Sequence, residues 1–335
     1  MYSPTPSLLE VDSTNQNLNN RYRPFARNDD YGTCGWHGPK FTLCEWMRVF
    51  VRGSGLAIIL STVLMMLTMS ICLLRDENRL ARFWSRWLPW FEYILVHYVV
   101  GFSIRVVNEN EGKQNKHVLP IIPQASVLVC NHVSYWDIPI LYEVFQPSFV
   151  AAASVQDIPL FGRMASILGA IFVAHPNRTN EQGKNSTATF LISKLKLLNK
   201  KRNERNDDND YITKPILIFP EGTTSNGSYL LPFRTGAFAA GVPVQPIHLE
   251  FPFTRFNPSW ESIGVRTHLL RFLAQPSHRA TVTILKPLVP KDDDIVEFAN
   301  QARTAIARAG NLQLTDMGYR DKRNYHQALG KQGYS

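Results

Sequence analysis

The chain has 335 residues, 44% hydrophobic and 19% charged, with a formal net charge of +9. That length holds one large core plus a smaller element, and the composition suits a globular protein with a membrane attachment. The positive charge calls for an anionic partner, a lipid headgroup or a phosphorylated cofactor; no zinc-finger spacing or RNA-reading aromatic motif is present, which sets nucleic acid aside. Cys34, Cys44, Cys72 and Cys130 are scattered, two of them in apolar runs, so thiols in a reducing compartment are expected rather than a disulfide framework.

Residues 1–40 are rich in Asn, Ser, Asp and Pro and read as a disordered tail without a secretory signal. A membrane-anchoring segment is expected over 45–104. Within it, 53–74 is a run of 22 residues without charge. Such a run crosses a hydrocarbon core of about 30 Å, so a transmembrane helix is expected; the plainer alternative is the buried helix of a soluble protein. Lys40, Arg48 and Arg52 flank one end, and Arg75, Arg79, Arg82 and Arg86 the other, a margin favouring a cytoplasmic C-terminal side. Residues 82–104 mix Trp84, Trp87, Trp90, Tyr93 and Tyr98 with Arg82, Arg86, Glu92 and Pro89. Aromatics among arginines prefer the membrane–water interface, which predicts an interfacial helix or a shallow re-entrant hairpin.

From 105 to 325 strands alternate with helical stretches. The pattern predicts one α/β domain, a mixed sheet flanked by helices, followed by a tail at 326–335. Strands are expected at 105–107, 126–130, 149–153, 170–173, 216–219, 244–249 and 281–285. Helices are expected at 138–145, 162–168, 187–201 and 295–309, the last capped by Asp292–Asp294 and closed by Gly310. The basic cluster Lys194, Lys196, Lys200, Lys201, Arg202 and Arg205 reads as a solvated helix face and loop, with headgroup contact as the sharper alternative.

Strand 126–130 runs into Asn131-His-Val-Ser-Tyr-Trp-Asp137. On an unbroken helix five residues rise about 7.5 Å, and the histidine and aspartate would not meet. A strand-to-helix turn can join them, with Asp137 as the cap and Pro139 in the first turn. A carboxylate on one imidazole nitrogen fixes the tautomer and leaves the other nitrogen as a base. Taken alone, the pair is equally a capping Asp and an unrelated loop His. Strand 216–219 runs into Pro220-Glu-Gly-Thr-Thr-Ser-Asn-Gly227, a Gly- and hydroxyl-rich loop whose N–H groups suit an anion. Val242-Pro-Val-Gln-Pro246 is a third, proline-bracketed element.

With Gly169-Ala-Ile-Phe-Val-Ala-His175 between the first two, these blocks resemble, in order, the N-H-x4-D, G-x-x-F-I-x-R, F-P-E-G-T and V-P-[IV]-x-P blocks of the membrane-bound glycerolipid acyltransferases. The wording at 219–238, FPEGTTSNGSYLLPFRTGAF, and at 241–247, GVPVQPI, is similar to the lysophospholipid branch, which acts on lysophosphatidylcholine, lysophosphatidylethanolamine or lysophosphatidate. The resemblance covers about residues 45–325, including the stretch from Thr315 to Arg323.

The resemblance implies transfer of a fatty acyl group from acyl-CoA, the co-substrate, to the free hydroxyl of a lysophospholipid. It assigns His132 as general base with Asp137, no acyl-enzyme, no permanently bound cofactor and no metal. Ser134 is a rival nucleophile, though no G-x-S-x-G turn surrounds it. Acceptor or phosphate contacts fall to Glu221, Gly222 and Thr223, with Arg178 and Arg234 as guanidinium candidates. Asn131, Gly169, Phe172, Pro220, Pro243 and Pro246 support the motifs, the last two prolines by shaping a strand edge. His175 stands where the family carries arginine, so either Arg178 takes the phosphate or the site uses a histidine. The implied partners are the bilayer, the lysophospholipid and acyl-CoA, and the implied place is the endoplasmic reticulum membrane. The domain is expected to face the cytosol, because one of the sequons at Asn177, Asn185 and Asn226 lies in the active loop, where a glycan would obstruct the site. Three alternatives stand beside this reading: a different donor or acceptor, such as glycerol 3-phosphate or CoA-independent transacylation; a catalytically silent protein binding lipid or CoA; and a soluble hydrolase with an apolar helix.

Overall fold

The structure is a computed structural model describing residues 17–31, 41–74, 76–109, 120–158, 161–173, 181–204, 214–291 and 293–330. Cys34, Lys40, Arg75, His175, Asn177, Arg178, Arg205 and Asp292 lie outside the described residues.

Helix α1, Leu43–Leu73, is the one described helix long and apolar enough to cross a membrane. It begins ten residues before the uncharged run because Thr42 and Glu45 form a capping box. The Thr42 hydroxyl accepts Glu45 N–H, and the Thr42 N–H donates to Glu45 Oε2 at 2.7 Å. Arg48 and Arg52 therefore lie inside the helix, and they are engaged by protein. Arg48 Nε donates to the carbonyl of Ala274 at 2.8 Å, and Arg52 donates to the carbonyls of Leu273, Gln275 and Pro276. These arginines hold the last turn of another helix.

Helix α2, Glu77–Tyr93, continues as a π-helical segment Ile94–Val100. The helical stretch therefore ends at 100, not 104. The two helices run antiparallel: Trp84 Nε1 donates to Ser70 Oγ near the turn, and Gly55 lets Val99 approach at the other end. Val63, Leu67, Leu80, Trp84 and Phe91 form the seam between them. Outside the seam α1 exposes Met47, Phe50, Ile58 and Met65, and α2 exposes Trp87, Trp90 and Tyr93.

The sheet domain follows. Strand β1, Phe102–Asn108, starts three residues earlier than expected. After it come β2 (Val127–Cys130), helix α3 (Asp137–Phe145), β3 (Ser148–Ala152), helix α4 (Phe161–Ile167), β4 (Ile171–Val173) and helix α5 (Glu181–Asn203). Next are β5 (Ile216–Ile218), β6 (Tyr229–Leu230), β7 (Val244–Glu250), helix α6 (Val265–Ala274) and β8 (His278–Ile284). Helix α7 (Ile295–Gly310), β9 (Gln313–Leu314) and helix α8 (Tyr319–Ala328) complete the order. Seven strands form one sheet, β1-β8-β7-β2-β5-β3-β4, parallel except for β7 against β8, while β6 pairs with β9. The expected mixed α/β sheet with flanking helices is present; α6 and α8 were not anticipated.

Both faces of β2 are buried, which is why it reads as a continuous apolar run rather than an alternating one. Leu128 and Cys130 pack into the core on one face, Val127 and Val129 into the core on the other. On α5, Leu191 and Leu195 are buried, but Phe190 faces outward under Lys194. Arg202 is not a free surface charge, for its guanidinium donates to the Pro123 carbonyl.

Two sequence expectations change at β7 and α7. Pro246 does not shape an edge: β7 lies inside the sheet between β8 and β2. The Pro246 carbonyl accepts Leu285 N–H at 3.1 Å, but proline cannot return the bond. Gln245 Nε2 supplies the missing donor to the Leu285 carbonyl at 3.1 Å. Helix α7 is N-capped by Asp294, which accepts from Val296 and Glu297 N–H; Gly310 is its last helical residue, and the left-handed cap is Asn311 with φ 50°. Gly310 serves close packing instead, since a Cβ there would sit 2.2 Å from His248 Nε2.

The N-terminal region overturns the disordered-tail expectation over residues 17–31. Phe25 is fully buried and Tyr31 nearly so. Arg27 is buried, paired with Asp29 and with Glu261 at 3.2 Å, and donates to the carbonyls of Asn257 and Ser259. A polar segment of low periodicity is ordered here because its hydrogen-bond partners come from residues more than 200 positions away.

Candidate active site

Strands β2 and β5 are adjacent and parallel, with Val129 beside Ile218. The chain beyond each therefore emerges at the same carboxyl edge of the sheet, where α/β proteins place ligands. The loop after β2 carries His132 and the loop after β5 carries Phe219 to Gly227.

The turn into α3 brings the separated pair together. His132 Nδ1 lies 2.7 Å from Asp137 Oδ2. Asp137 is not a cap on its own helix. It stands in the first turn and reaches backward, accepting Val133 N–H at 2.7 Å and Ser134 N–H at 3.0 Å. The Asp137 side chain is 0% exposed and that of His132 21%. The carboxylate accepts these two backbone N–H groups and takes the Nδ1–H as a third bond. Nε2 is then left with its lone pair. The imidazole lies flat on the Phe219 ring, centroids 4.2 Å apart, with Phe149 beyond.

Both backbone groups of His132 are fixed by the other loop. Its N–H donates to Glu221 Oε1 at 2.7 Å, and its carbonyl accepts Ser225 N–H at 3.1 Å. Glu221 Oε2 accepts Leu231 N–H at 2.9 Å. Both Glu221 oxygens are thus turned inward as a brace between the two loops. Burial pushes its pKa up to about 8, against the two N–H bonds, which pull it down.

Gly222 needs to be glycine twice over: its φ is +69°, and the Arg234 guanidinium lies 2.7 Å from where a Cβ would be. Arg234 is exposed over the loop, with its own N–H bound to the Pro220 carbonyl. Thr223 is half-buried beside it. Asn131 is a structural link, its amide exchanging two 2.8 Å bonds with the backbone of Leu249 in β7. Ser134 is fully buried with its hydroxyl turned to Trp136 N–H, which leaves no room for a nucleophile. Gly169 takes φ +80° at the turn before β4, and Phe172 lies within β4.

Behind the loops sits a polar layer that the sequence reading missed. Trp260 N–H donates to the Val133 carbonyl, and the Thr224 hydroxyl donates to the Trp260 carbonyl. Tyr135 hydroxyl meets His268 Nδ1 at 2.8 Å, while His268 Nε2 donates toward the carbonyls of Pro258 and Ser259. The Asn226 amide is buried and donates to the carbonyls of Arg23 and Ala26, so this sequon has no space for a glycan in the folded protein. A groove of about 360 Å³ borders Val133, between 226–228 and 249–253. Among the described residues no cluster of His, Cys, Asp or Glu could hold a metal ion.

Residues 105–250 match the family model described as Acyltransferase. Among curated proteins, the chain is 36% identical over 206 residues to the lysophospholipid acyltransferase LPEAT1 of Arabidopsis thaliana, covering 60% of this chain and 49% of that one. It is 28% identical over 232 residues to lysophosphatidylcholine acyltransferase 2B of Rattus norvegicus, covering 68% of this chain and 40% of that one. The chain thus spans half or less of the length of these relatives. Among solved structures, the 1-acyl-sn-glycerophosphate acyltransferase PlsC of Thermotoga maritima shares the fold at TM-score 0.51 and 18% identity, over 80% of this chain and 94% of that one.

Proposed function

We propose that the chain is a glycerolipid acyltransferase of the lysophospholipid branch, as its matches support, and that it moves a fatty acyl group from acyl-CoA to the free hydroxyl of a lysophospholipid. The observation that carries this is the His132–Asp137 pair, 2.7 Å apart at the carboxyl edge of β2 with Nε2 free. In the proposed reaction His132 Nε2 takes the proton of the acceptor hydroxyl as its oxygen attacks the thioester carbonyl. Asp137 stabilises the imidazolium. Collapse of the tetrahedral intermediate forms the ester and breaks the carbon–sulfur bond, and the departing thiolate takes the proton back from His132. Phe219 and Phe149 give the imidazole an apolar wall suited to an acyl chain. Arg234, exposed over Gly222 and Thr223, is our candidate for the acceptor phosphate, and the groove beside Val133 offers room for the rest of the acceptor.

We place the sheet domain on the bilayer through α1 and α2. Both ends of this helical pair meet the domain: Arg48 and Arg52 join α1 to the end of α6, and the π-segment runs into β1. Residues 17–31, which precede α1, pack on the same domain. The anchor is then a hairpin with both flanks on one face, the cytosolic face of the endoplasmic reticulum. Tags at the two termini, in sealed microsomes exposed to protease, would both be digested; protection of one tag would rule the hairpin out.

The donor is tested with purified protein in liposomes. Radiolabelled oleoyl-CoA and labelled phosphatidylcholine are compared as donors to lysophosphatidylcholine, lysophosphatidylethanolamine and lysophosphatidate. Label moving from oleoyl-CoA to one of the acceptors is expected. Transfer from phosphatidylcholine alone would replace this reading with CoA-independent transacylation.

A further inference from the structure

Helix α8 lies outside the sheet, and nothing in the proposed reaction uses it. One of its side chains nevertheless reaches the centre of the active-site loops. Lys322 is buried. Its Nζ donates to the Thr224 carbonyl at 2.9 Å and to the Thr224 hydroxyl at 2.6 Å. From Thr224 two short paths lead to the catalytic loop. Through the chain, the next residue, Ser225, donates its N–H to the His132 carbonyl at 3.1 Å. Through space, the Thr224 hydroxyl donates to the Trp260 carbonyl, and Trp260 N–H donates to the Val133 carbonyl at 2.9 Å.

The arrangement has an electrostatic reason. Asp137, Glu221 and Glu261 are all buried beneath these loops. Uncompensated buried carboxylates are costly, and cations must share the space. Arg27 meets Glu261 directly at 3.2 Å, on the 257–261 side. Lys322 instead spends two of its three N–H donors on Thr224, on the side of the 221–225 loop. Arg27 and Lys322 therefore have different duties, one bound to a distal loop and one to the loop that grips both backbone groups of His132.

We propose that Lys322 is a positioning residue for the reaction: it fixes the 221–225 loop and thereby the place of the His132 imidazole relative to the acceptor hydroxyl. This rests on His132 being the base. A displacement of about 1 Å at a catalytic group can cost about 100-fold in rate, so a residue that touches no substrate can still govern kcat.

The test compares Lys322→Met with Arg27→Met, which removes a buried cation without touching the 221–225 loop, and with Thr224→Val as a milder change that keeps both charges. Hydrogen–deuterium exchange of the peptides covering 126–137 and 219–231 is read alongside steady-state kinetics with oleoyl-CoA. Lys322→Met is expected to raise exchange in both peptides and to lower kcat about 10- to 100-fold with little change in either KM. Thr224→Val should do the same more weakly, and Arg27→Met should lower the melting temperature while leaving exchange at 126–137 and kcat near wild type. Unchanged exchange at 126–137 in both Lys322→Met and Thr224→Val, or an Arg27→Met variant that loses kcat as severely as Lys322→Met, would overturn the proposal. The exchange arm reads the loop whether or not the protein transfers acyl groups, so failure of this inference is separable from failure of the functional reading. If Lys322→Met does not fold, Thr224→Val decides by the same two readouts.

Discussion

The paired helices α1 and α2 and the loops around His132 are held in place by opposite means. The helices meet through an apolar seam of Val63, Leu67, Leu80 and Trp84, turn further apolar side chains outward, and join the domain through the Arg48 and Arg52 bonds to carbonyls at the end of α6. The loops around His132 are laced by polar bonds between segments far apart in sequence, from residue 132 to residue 322. An apolar seam tolerates sliding and resizing. A polar lattice in a buried place does not, because each lost partner leaves a desolvated group behind. The anchor can vary in detail and still anchor, whereas the site requires a specific partner at each position.

Five perturbations press on that contrast, beginning with the largest. His132→Ala should lower kcat by about 10²- to 10⁴-fold, as loss of a general base does. Because the imidazole is partly exposed, its melting temperature should stay close to wild type. Asp137→Asn should lose activity comparably and stability as well, since its amide would push an N–H toward Val133 and Ser134; calorimetry beside the kinetic assay separates the two variants. Glu221→Gln meets the same problem at His132 and Leu231, where one of the two N–H groups loses its acceptor. Urea unfolding should show a loss of about 1–3 kcal/mol.

On the anchor side the effects are smaller. Arg48→Ala with Arg52→Ala should cost about 1 kcal/mol for each hydrogen-bonded arginine while leaving acyl transfer to dispersed acceptors within a few-fold of wild type. A collapse of kcat in that variant would mean that the helices do more than anchor. The effect that is smallest at neutral pH, and grows only in acid, is that of the buried histidines. Burial holds His268 and His278 down to about 3 and His248 down to about 4. Their folded-state pKa values lie below the unfolded value near 6.5, so their contribution is complete above about pH 6.5 and is lost as the pH falls toward 3–4. Each can add up to about 1.4 kcal/mol per pH unit to the slope. His278→Phe, in a ring stack on Phe272 with centroids 3.7 Å apart, should make the acid limb shallower in denaturant titrations at stepped pH.

What the sequence disclosed divides along the same line. Periodicity and composition are local, and they marked α1, the aromatic stretch of α2 and the buried strands β2 and β5, while the His132 and Asp137 pair stood out only through the family resemblance of its motif. Register errors came from local signals of another kind: the Thr42–Glu45 box begins α1 early, and the left-handed Asn311 rather than Gly310 caps α7. The partners that fix the site were not legible, because nothing near Trp260 or Lys322 in the sequence states what each will touch. Glu221 shows the limit plainly. Its motif position suggested a ligand contact, and only the fold brings two backbone N–H groups to its oxygens. The stretch around Lys322 did carry a signal, for its wording resembled the family, but without coordinates the resemblance had no chemistry attached.

The central claim is that His132, held by Asp137 and by the 221–225 loop, is the base that activates the acceptor hydroxyl. Its most direct test is free thiol release from oleoyl-CoA by purified wild type and His132→Ala in the same liposomes, with lysophosphatidylcholine, lysophosphatidylethanolamine and lysophosphatidate offered in turn. Acceptor-dependent release by wild type that falls by at least about 100-fold in the variant is the predicted result. Equal release by the two proteins with any acceptor would contradict the account.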